Sequence, residues 1–139
     1  MVRGSSSLPG RTLVNESERR ALVRRYWEST TAGDQDLTGE IYHDDAVLEF
    51  PQSGERFEGT GNFKEWRSQY PAGVALEMGE LRGQGALWVV EGTISYDGGP
   101  KQPVVNILEF RGDKVDRETI YVTEAWEAPE WRARWRAAP

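Results

Sequence analysis

The sequence predicts an α+β fold in which a curved antiparallel sheet wraps over three N-terminal helices. Apolar residues recur at helical spacing in the first half of the chain, whereas from Val74 onward they alternate in four long segments separated by turn residues. A run of helices followed by a run of strands is typical of α+β domains, with the helices on one face of the sheet. Long strands twist, so we expect this sheet to curve around the helices.

The N-terminal part is predicted to be a flexible arm followed by the first helix. Residues 1–14 are rich in Gly, Ser and Pro, which favours an arm without structure, and the single domain then spans 15–139. The side chain of Asn15 can cap a helix, and Gly33 can end one. The first helix is therefore predicted over about 16–32.

A short second helix and a first strand follow. Asp34 is placed to cap a helix that runs through Ile41 and Tyr42, and the next residues break it. Apolar residues then alternate over 46–50, which predicts a strand, and 51–58 contains turn residues and a short hairpin partner.

The third helix is predicted between Thr60, which can cap it, and Pro71, which ends it. Phe63, Trp66 and Tyr70 lie on one face of this helix. These side chains are expected to belong to the core, where the core also forms the wall of a pocket.

Composition indicates one domain and disfavours several classes of protein. The chain has 139 residues, 37% of them hydrophobic and 29% charged, which suits one ordinary domain. With no cysteine and one histidine, we expect no disulfide, no metal site built on thiolates or several histidines, and no cofactor. A net charge of -6 disfavours nucleic acid as a partner. The chain has no apolar run of bilayer length and no signal-like start, so we expect a cytoplasmic protein that does not bind membranes.

Four short segments, taken in order, resemble a known superfamily. The sequence contains VRRYWESTTAGD, DLTGEIYHDDAVLEFP, GTGNFKEW and NILEFRGDKV between about residues 16 and 126. Each alone is mainly helix-cap or turn chemistry. Together they resemble the nuclear transport factor 2-like superfamily and, within it, the SnoaL-like and ketosteroid isomerase-like enzymes. The resemblance implies a cone-shaped α+β barrel with one pocket between sheet and helices for a small hydrophobic organic ligand.

The resemblance also implies site residues. Tyr26 matches the tyrosine with which ketosteroid isomerases donate a hydrogen bond to a developing enolate oxygen, and Asn106 falls where they carry a second donor. The alternative for Tyr26 is a core tyrosine bonded to a backbone carbonyl. The position of their general base is Phe50, whose ring cannot abstract a proton. The acid of the SnoaL-like cyclases falls at Thr123, so neither catalytic set is complete.

Strand alternation extends this site. An inward Asn106 implies inward Leu108 on its own strand, and the same reasoning turns Trp88 and Glu118 inward on the neighbouring strands. Glu118 could donate or accept a proton on the concave face. Its alternative is a salt bridge at the rim with Arg117 or Arg67. The predicted pocket lining consists of Phe50, Trp66, Tyr70, Trp88, Val90, Leu108 and Ile120.

The outer face of the sheet and the C-terminal segment are predicted interaction surfaces. The same alternation turns Val105 and Ile107 outward, and an apolar outer face predicts a homodimer. Trp126, Trp131 and Trp135 follow the last strand, and Pro129 is well placed to start a helix. We expect this segment to form a lid or a dimer-packing helix.

Two hypotheses about function therefore stay open. One is a small-molecule pocket protein that works as a metal-free isomerase or lyase on a cyclic or aromatic carbonyl compound, with Tyr26 and Asn106 polarising the carbonyl and Glu118 moving a proton. The other is a non-catalytic ligand-binding or subunit-association module of the same fold, which Phe50 at the base position favours.

Overall fold

The computed structural model describes the backbone of residues 9–138 and the side chains of residues 16–138. The first half contains helices α1 Pro9–Ala32, α2 Gln35–Gly39 and α3 Thr60–Ser68, with strands β1 Tyr42–Phe50 and β2 Glu55–Glu58 between α2 and α3. The second half contains strands β3 Val74–Gln84, β4 Leu87–Tyr96, β5 Gln102–Arg111 and β6 Lys114–Val122, followed by a short 3₁₀ helix, Glu130–Trp135.

Within residues 9–138, six strands form one open, curved sheet in the order β2-β1-β6-β5-β4-β3. Four of the neighbouring pairs are antiparallel, and β1 with β6 is parallel. The predicted α+β class, with a curved sheet over N-terminal helices, is confirmed. The parallel pair arises because a hairpin, α3 and three strands separate β1 from β6 along the chain, and such a long connection lets the two strands run in the same direction. No described helix is long and apolar enough to cross a bilayer.

Helix α1 begins earlier than predicted. It starts at Pro9, a residue suited to the first turn of a helix, so position 15 lies inside the helix and the predicted start near residue 16 is wrong. The predicted arm over 1–14 is therefore wrong for the part from Pro9 onward, and residues 1–8 lie outside the described part of the chain. The end of the helix is as predicted, since Gly33 follows it with a φ of 77°.

The segment after α1 was predicted partly correctly. Asp34 caps α2, because its side chain accepts a hydrogen bond from the backbone N of Leu37 at 3.0 Å. The predicted extension of this helix to Tyr42 is wrong: Tyr42 opens β1, where it pairs with Val115 of β6. Sheet pairing over long sequence distance therefore decides the conformation here, and the local turn residues do not.

The start of α3 also differs from the prediction. Gly59 stands at the cap position with a φ of 91°, and no side chain caps the helix. Thr60 is the first helical residue instead of the cap. Glycine is suited to this position because residues with a Cβ rarely adopt such a positive φ.

The predicted inward faces of the long strands are confirmed. Asn106 of β5 lies opposite Val90 of β4 and Ile120 of β6, and all three side chains are buried. Gly92 of β4 faces α1, where an added Cβ would lie 2.8 and 2.9 Å from ring atoms of Trp27. The missing side chain therefore lets the Trp27 ring pack closely onto the sheet.

The two predicted interaction surfaces differ in how far they are buried. Val105 and Ile107 are half-buried on the outer face of the sheet, and the homodimer stays a prediction. Trp126, Trp131 and Trp135 are 79%, 74% and 65% exposed. The segment with the last two of these tryptophans is a 3₁₀ helix that lies outside the cavity lining described below, so a lid or dimer-packing role also stays a prediction.

Candidate functional site

A cavity of about 150 Å³ lies between the inner face of the sheet and helices α1, α2 and α3. Its lining is largely aromatic and aliphatic. Tyr70, which is 42% exposed, stacks on Tyr96 with ring centroids 5.8 Å apart, and both residues line the cavity. The predicted site residues that line the cavity are Tyr26, Phe50, Trp66, Tyr70, Asn106 and Ile120.

Three residues predicted to line the pocket lie elsewhere. Trp88, Val90 and Leu108 face inward, but they are buried in the core, away from the cavity. The guanidinium of Arg20 lies over the Trp88 ring at 5.1 Å and covers it from the side of α1. Strand alternation predicts the face on which a side chain lies, but it does not predict the depth along the cone.

Beneath the cavity floor lies a cluster centred on the Glu118 carboxylate, which is completely buried. Tyr26 donates a hydrogen bond from Oη to Oε2 at 2.8 Å. Tyr42 donates from its Oη to Oε1, and Asn106 donates from its Nδ2 to Oε2. Tyr26 and Asn106 also line the cavity, whereas Glu118 and Tyr42 do not. The three predicted catalytic residues therefore lie together, with the acid in the layer below.

Arg67 of α3 completes the cluster. Its guanidinium donates to the Oη atoms of Tyr42 and Tyr26, each at 3.1 Å, and lies 3.8 Å from Glu118 Oε1. The side chain of Arg67 is 11% exposed. The sequence offered a salt bridge between Glu118 and Arg67 at the rim of the pocket. The two side chains do pair, but both are buried, so the predicted location is wrong. The other proposed partner, Arg117, bonds Glu49 on the opposite face of the sheet.

Two members of the cluster were not predicted as site residues, although the sequence contains a signal for each. Arg67 follows Phe63 at i+4, so it lies on the apolar stripe of α3, where an arginine is unusual. Tyr42 is an even number of residues from Leu48 and Phe50, so on one strand the three side chains would lie on the same face of the sheet. The sequence prediction placed Tyr42 in a helix instead. A strand beginning at Tyr42 would have turned its ring inward.

The hydrogen bonds of the cluster determine the orientation of Asn106. A carboxylate only accepts hydrogen bonds, so the amide must present Nδ2 to Glu118. Asn106 Oδ1 is then left buried and without a partner among the described residues. Tyr26 likewise directs its hydroxyl hydrogen to Glu118. A carbonyl group entering the cavity therefore does not meet the preformed pair of free donors that the resemblance implied.

Burial and neighbouring charges shift the pKa values of Tyr26, Tyr42 and Arg67. Burial raises the pKa of Tyr26 well above its ordinary 10.0; the Arg67 charge opposes this rise and the Glu118 charge adds to it. The same causes raise the pKa of Tyr42. Burial alone would lower the pKa of Arg67, but its contacts with Tyr26, Tyr42 and Glu118 raise it overall. Both phenols and the guanidinium therefore keep their protons at neutral pH.

These shifts predict a loss of stability in alkali. In the unfolded chain Tyr26 and Tyr42 release their protons near their ordinary pKa of 10.0, whereas in the folded protein they keep them. The free energy of unfolding should therefore fall as pH rises above about 10, by up to about 1.4 kcal/mol per pH unit for each tyrosine. Urea unfolding between about pH 9 and pH 11 checks this. The slope should be smaller in Tyr42→Phe, and equal slopes in the two proteins would contradict the assignment.

The fold and the site together define a class of protein: a nuclear transport factor 2-like cone fold with a cavity between the sheet and the helices. The sequence model of the SnoaL-like domain family matches residues 23–118, and the chain belongs to this family. No curated protein is similar enough to count as a match.

Solved structures of the same fold are similar to this chain. An NTF-2 like protein of unknown function from Burkholderia xenovorans is 40% identical and has a TM-score of 0.84, with 90% of this chain and 98% of that chain covered. A candidate ketosteroid isomerase from Kribbella flavida is 24% identical, with a TM-score of 0.79 and coverage of 88% and 90%. A LEH-like epoxide hydrolase from M. tuberculosis is 18% identical, with a TM-score of 0.68 and coverage of 76% and 83%. The last two share the fold.

Proposed function

We propose that the chain binds a small cyclic carbonyl compound in this cavity and moves a proton on it without a metal, as an isomerase or lyase. The observation that carries the proposal is the fully buried Glu118 carboxylate, bonded to Tyr26 on the cavity floor. Burying a charge costs several kcal/mol, and apolar residues of similar volume often give equal or greater stability. Such a cluster beneath a cavity is therefore best explained by a catalytic role of its residues.

Tyr26 connects the cavity to Glu118 and can relay a proton between them. A hydrogen on the carbon beside the ligand carbonyl passes to Tyr26 Oη, while the hydrogen already on Oη passes to Glu118 Oε2. The electrons of the broken C–H bond form an enolate. In an isomerase, the reverse relay returns the proton to a different carbon, which restores Tyr26 and Glu118. Because the pKa of Tyr26 is raised, no free tyrosinate accumulates between the two transfers.

Arg67 supplies the positive charge that this step needs. It lines the cavity, and its guanidinium has five N–H groups, of which the described bonds use two. A group fixed in this way stabilises negative charge as it develops on the enolate oxygen. In this proposal Arg67 replaces the predicted donor pair, and Glu118 replaces the base that is missing at Phe50.

The alternative is a protein of the same family that binds its ligand without reaction. It is favoured by the number of hydrogen bonds to Glu118, since both oxygens of its carboxylate already accept from Tyr26, Tyr42 and Asn106 and none of these donors is a ligand. The two functions differ in whether Glu118 is needed for exchange of ligand hydrogens or only for stability.

Hydrogen exchange in D₂O separates the two functions. We expect the wild type to accelerate the replacement of α-hydrogens in a panel of cyclic ketones, followed by NMR, and Glu118→Gln to lower the rate by about 100-fold or more. Glu49→Gln is the matched control, because Glu49 also pairs with an arginine but lies on the outer face. Tryptophan fluorescence reports binding in each protein. Binding by the wild type without acceleration of exchange would establish the non-catalytic alternative.

A further inference from the structure

Three aromatic rings from three elements pack against one another beside the cavity. Phe50 of β1 and Trp66 of α3 line it, and their ring centroids lie 5.9 Å apart. Phe57 of β2 lies outside the lining, but its ring centroid is 6.2 Å from that of Phe50 and 5.2 Å from that of Trp66. Phe57 therefore supports two wall residues without lining the cavity itself.

The strand that carries Phe57 lies at an edge of the sheet. β2 has four residues, of which three are exposed, and it pairs with β1. Strands β5 and β6, which also supply lining residues, each lie between two other strands. A short, exposed edge strand opens at a lower cost in free energy than a strand in the middle of a sheet. The wall supported by Phe57 is therefore easier to displace than the walls on β5 and β6.

The other edge of the sheet is long and is bonded to α1. Leu76 of β3, which lines the cavity, donates from its backbone N to Thr31 Oγ1 at 3.0 Å. Arg20 of the same helix donates to the backbone carbonyl oxygen of Leu81 at 3.2 Å. With four residues against the eleven of β3, the edge at β2 is the more adaptable of the two.

The cavity volume suits a ligand with one ring. At about 150 Å³ it matches the size of an engineered apolar cavity in another protein that binds benzene. A second fused ring inside the cavity needs more room, and a closely packed interior supplies it only where a wall shifts. Phe57 packs against Phe50 and Trp66 and so holds them in the positions that define the present volume.

We propose that the site takes a cyclic ketone with a single ring, and that Phe57 sets this limit by holding Phe50 and Trp66 against the cavity. Phe57 is then a positioning residue, which determines the size of the ligand without touching it. The proposal rests on the proposed function for the choice of a ketone. It concerns binding and does not require that a reaction follows.

NMR titration of the full-length protein tests the size limit. The probes are cyclohexanone, which has one ring, and 2-decalone, which has a second fused ring. Binding is followed on the indole N–H signals of the six tryptophans, and the Trp66 signal, assigned with Trp66→Phe, reports on the cavity. We expect 2-decalone to bind the wild type no more tightly than cyclohexanone, although its additional carbons would favour binding if they could be buried.

Variants at Phe57 test its role. Phe57→Ala should raise the affinity for 2-decalone by about tenfold or more and change that for cyclohexanone by less than about threefold, because the freed space accepts the second ring. Phe57→Leu refills most of that space and should restore most of the wild-type ratio of the two affinities. A general loss of stability would lower both affinities alike, so the ratio separates a role in specificity from a merely structural one.

Tyr121→Ala is the matched control. Tyr121 is also a partly exposed aromatic residue on a strand, but it pairs with Val105 on the outer face of the sheet and lies outside the cavity lining. Its replacement should leave the ratio of the two affinities unchanged.

The size limit is wrong if 2-decalone binds the wild type more tightly than cyclohexanone, or if neither probe shifts the Trp66 signal. The role of Phe57 is wrong if the affinity ratio stays the same in Phe57→Ala, or changes as much in Tyr121→Ala. Absence of hydrogen exchange in the wild type, with the affinity ratios as expected, would contradict the proposed reaction and leave this proposal standing. Retained exchange with an unchanged ratio in Phe57→Ala would contradict this proposal alone.

Discussion

Replacing Glu118 by leucine is expected to lower the free energy of unfolding by about 3–5 kcal/mol, because it removes one partner of a buried ion pair. Arg67 would keep its charge in a site where its side chain is 11% exposed. Tyr26, Tyr42 and Asn106 would each lose a hydrogen-bond acceptor. Urea unfolding followed by circular dichroism measures the loss.

A double variant and a control make this result specific to the cluster. Arg67→Met combined with Glu118→Leu should be more stable than the sum of the single effects predicts, by about 1–3 kcal/mol, because no unpaired charge remains. Glu49→Leu should cost less than about 1 kcal/mol, since the Glu49 side chain, 29% exposed, pairs with arginines on the outer face. If the losses in unfolding free energy of the two single variants simply add in the double variant, Glu118 and Arg67 do not stabilise each other. An equal loss in Glu49→Leu would show that the effect is not specific to the buried pair.

The second large effect is expected at Trp88. This indole is 1% exposed, and its Nε1 donates to the carbonyl oxygen of Gly85 at 2.9 Å. Gly83 lies against the ring and leaves room for it, because a Cβ there would overlap the indole. Trp88→Ala should therefore lower the free energy of unfolding by about 3–5 kcal/mol, as large-to-small changes at buried aromatics do.

The same variant tests the position of the cavity. Because Trp88 lies in the core, Trp88→Ala should leave the ligand affinity of the folded fraction unchanged, whereas Trp66→Phe should alter it. Trp131→Ala, at a side chain 74% exposed, should change stability by less than about 0.5 kcal/mol. A loss of affinity in Trp88→Ala with stability intact would place the ligand where the sequence first suggested.

The sequence predicted the sheet well because strand alternation is a local property. Asn106, Leu108 and Glu118 could be assigned to one face from spacing alone, and burial confirms this. Alternation contains no information on depth along the cone, so Trp88 and Leu108 could not be separated from the cavity lining. That separation depends on how the helices pack over the inner face, since residues of all three helices line the cavity.

Errors in the element boundaries had consequences for the site. Tyr42 was predicted in a helix because turn residues follow it, yet it pairs with β6 and directs its hydroxyl to Glu118. The burial of Arg67 depends on contacts with residues distant in sequence, so a surface salt bridge was an equally good prediction for it. An arginine at i+4 from Phe63 on an apolar helix face was the available signal.

The central claim is that Tyr26 relays a proton between the cavity and Glu118, and the pair Tyr26→Phe and Tyr42→Phe tests it most directly. Both tyrosines donate to Glu118 and accept from Arg67, but only Tyr26 lines the cavity. The measurement is the rate of α-hydrogen exchange of a bound cyclic ketone in D₂O. We predict that Tyr26→Phe lowers the rate by about 100-fold or more while Tyr42→Phe changes it by less than about tenfold. Equal rates in the two variants would contradict the relay and leave the cluster with a structural role.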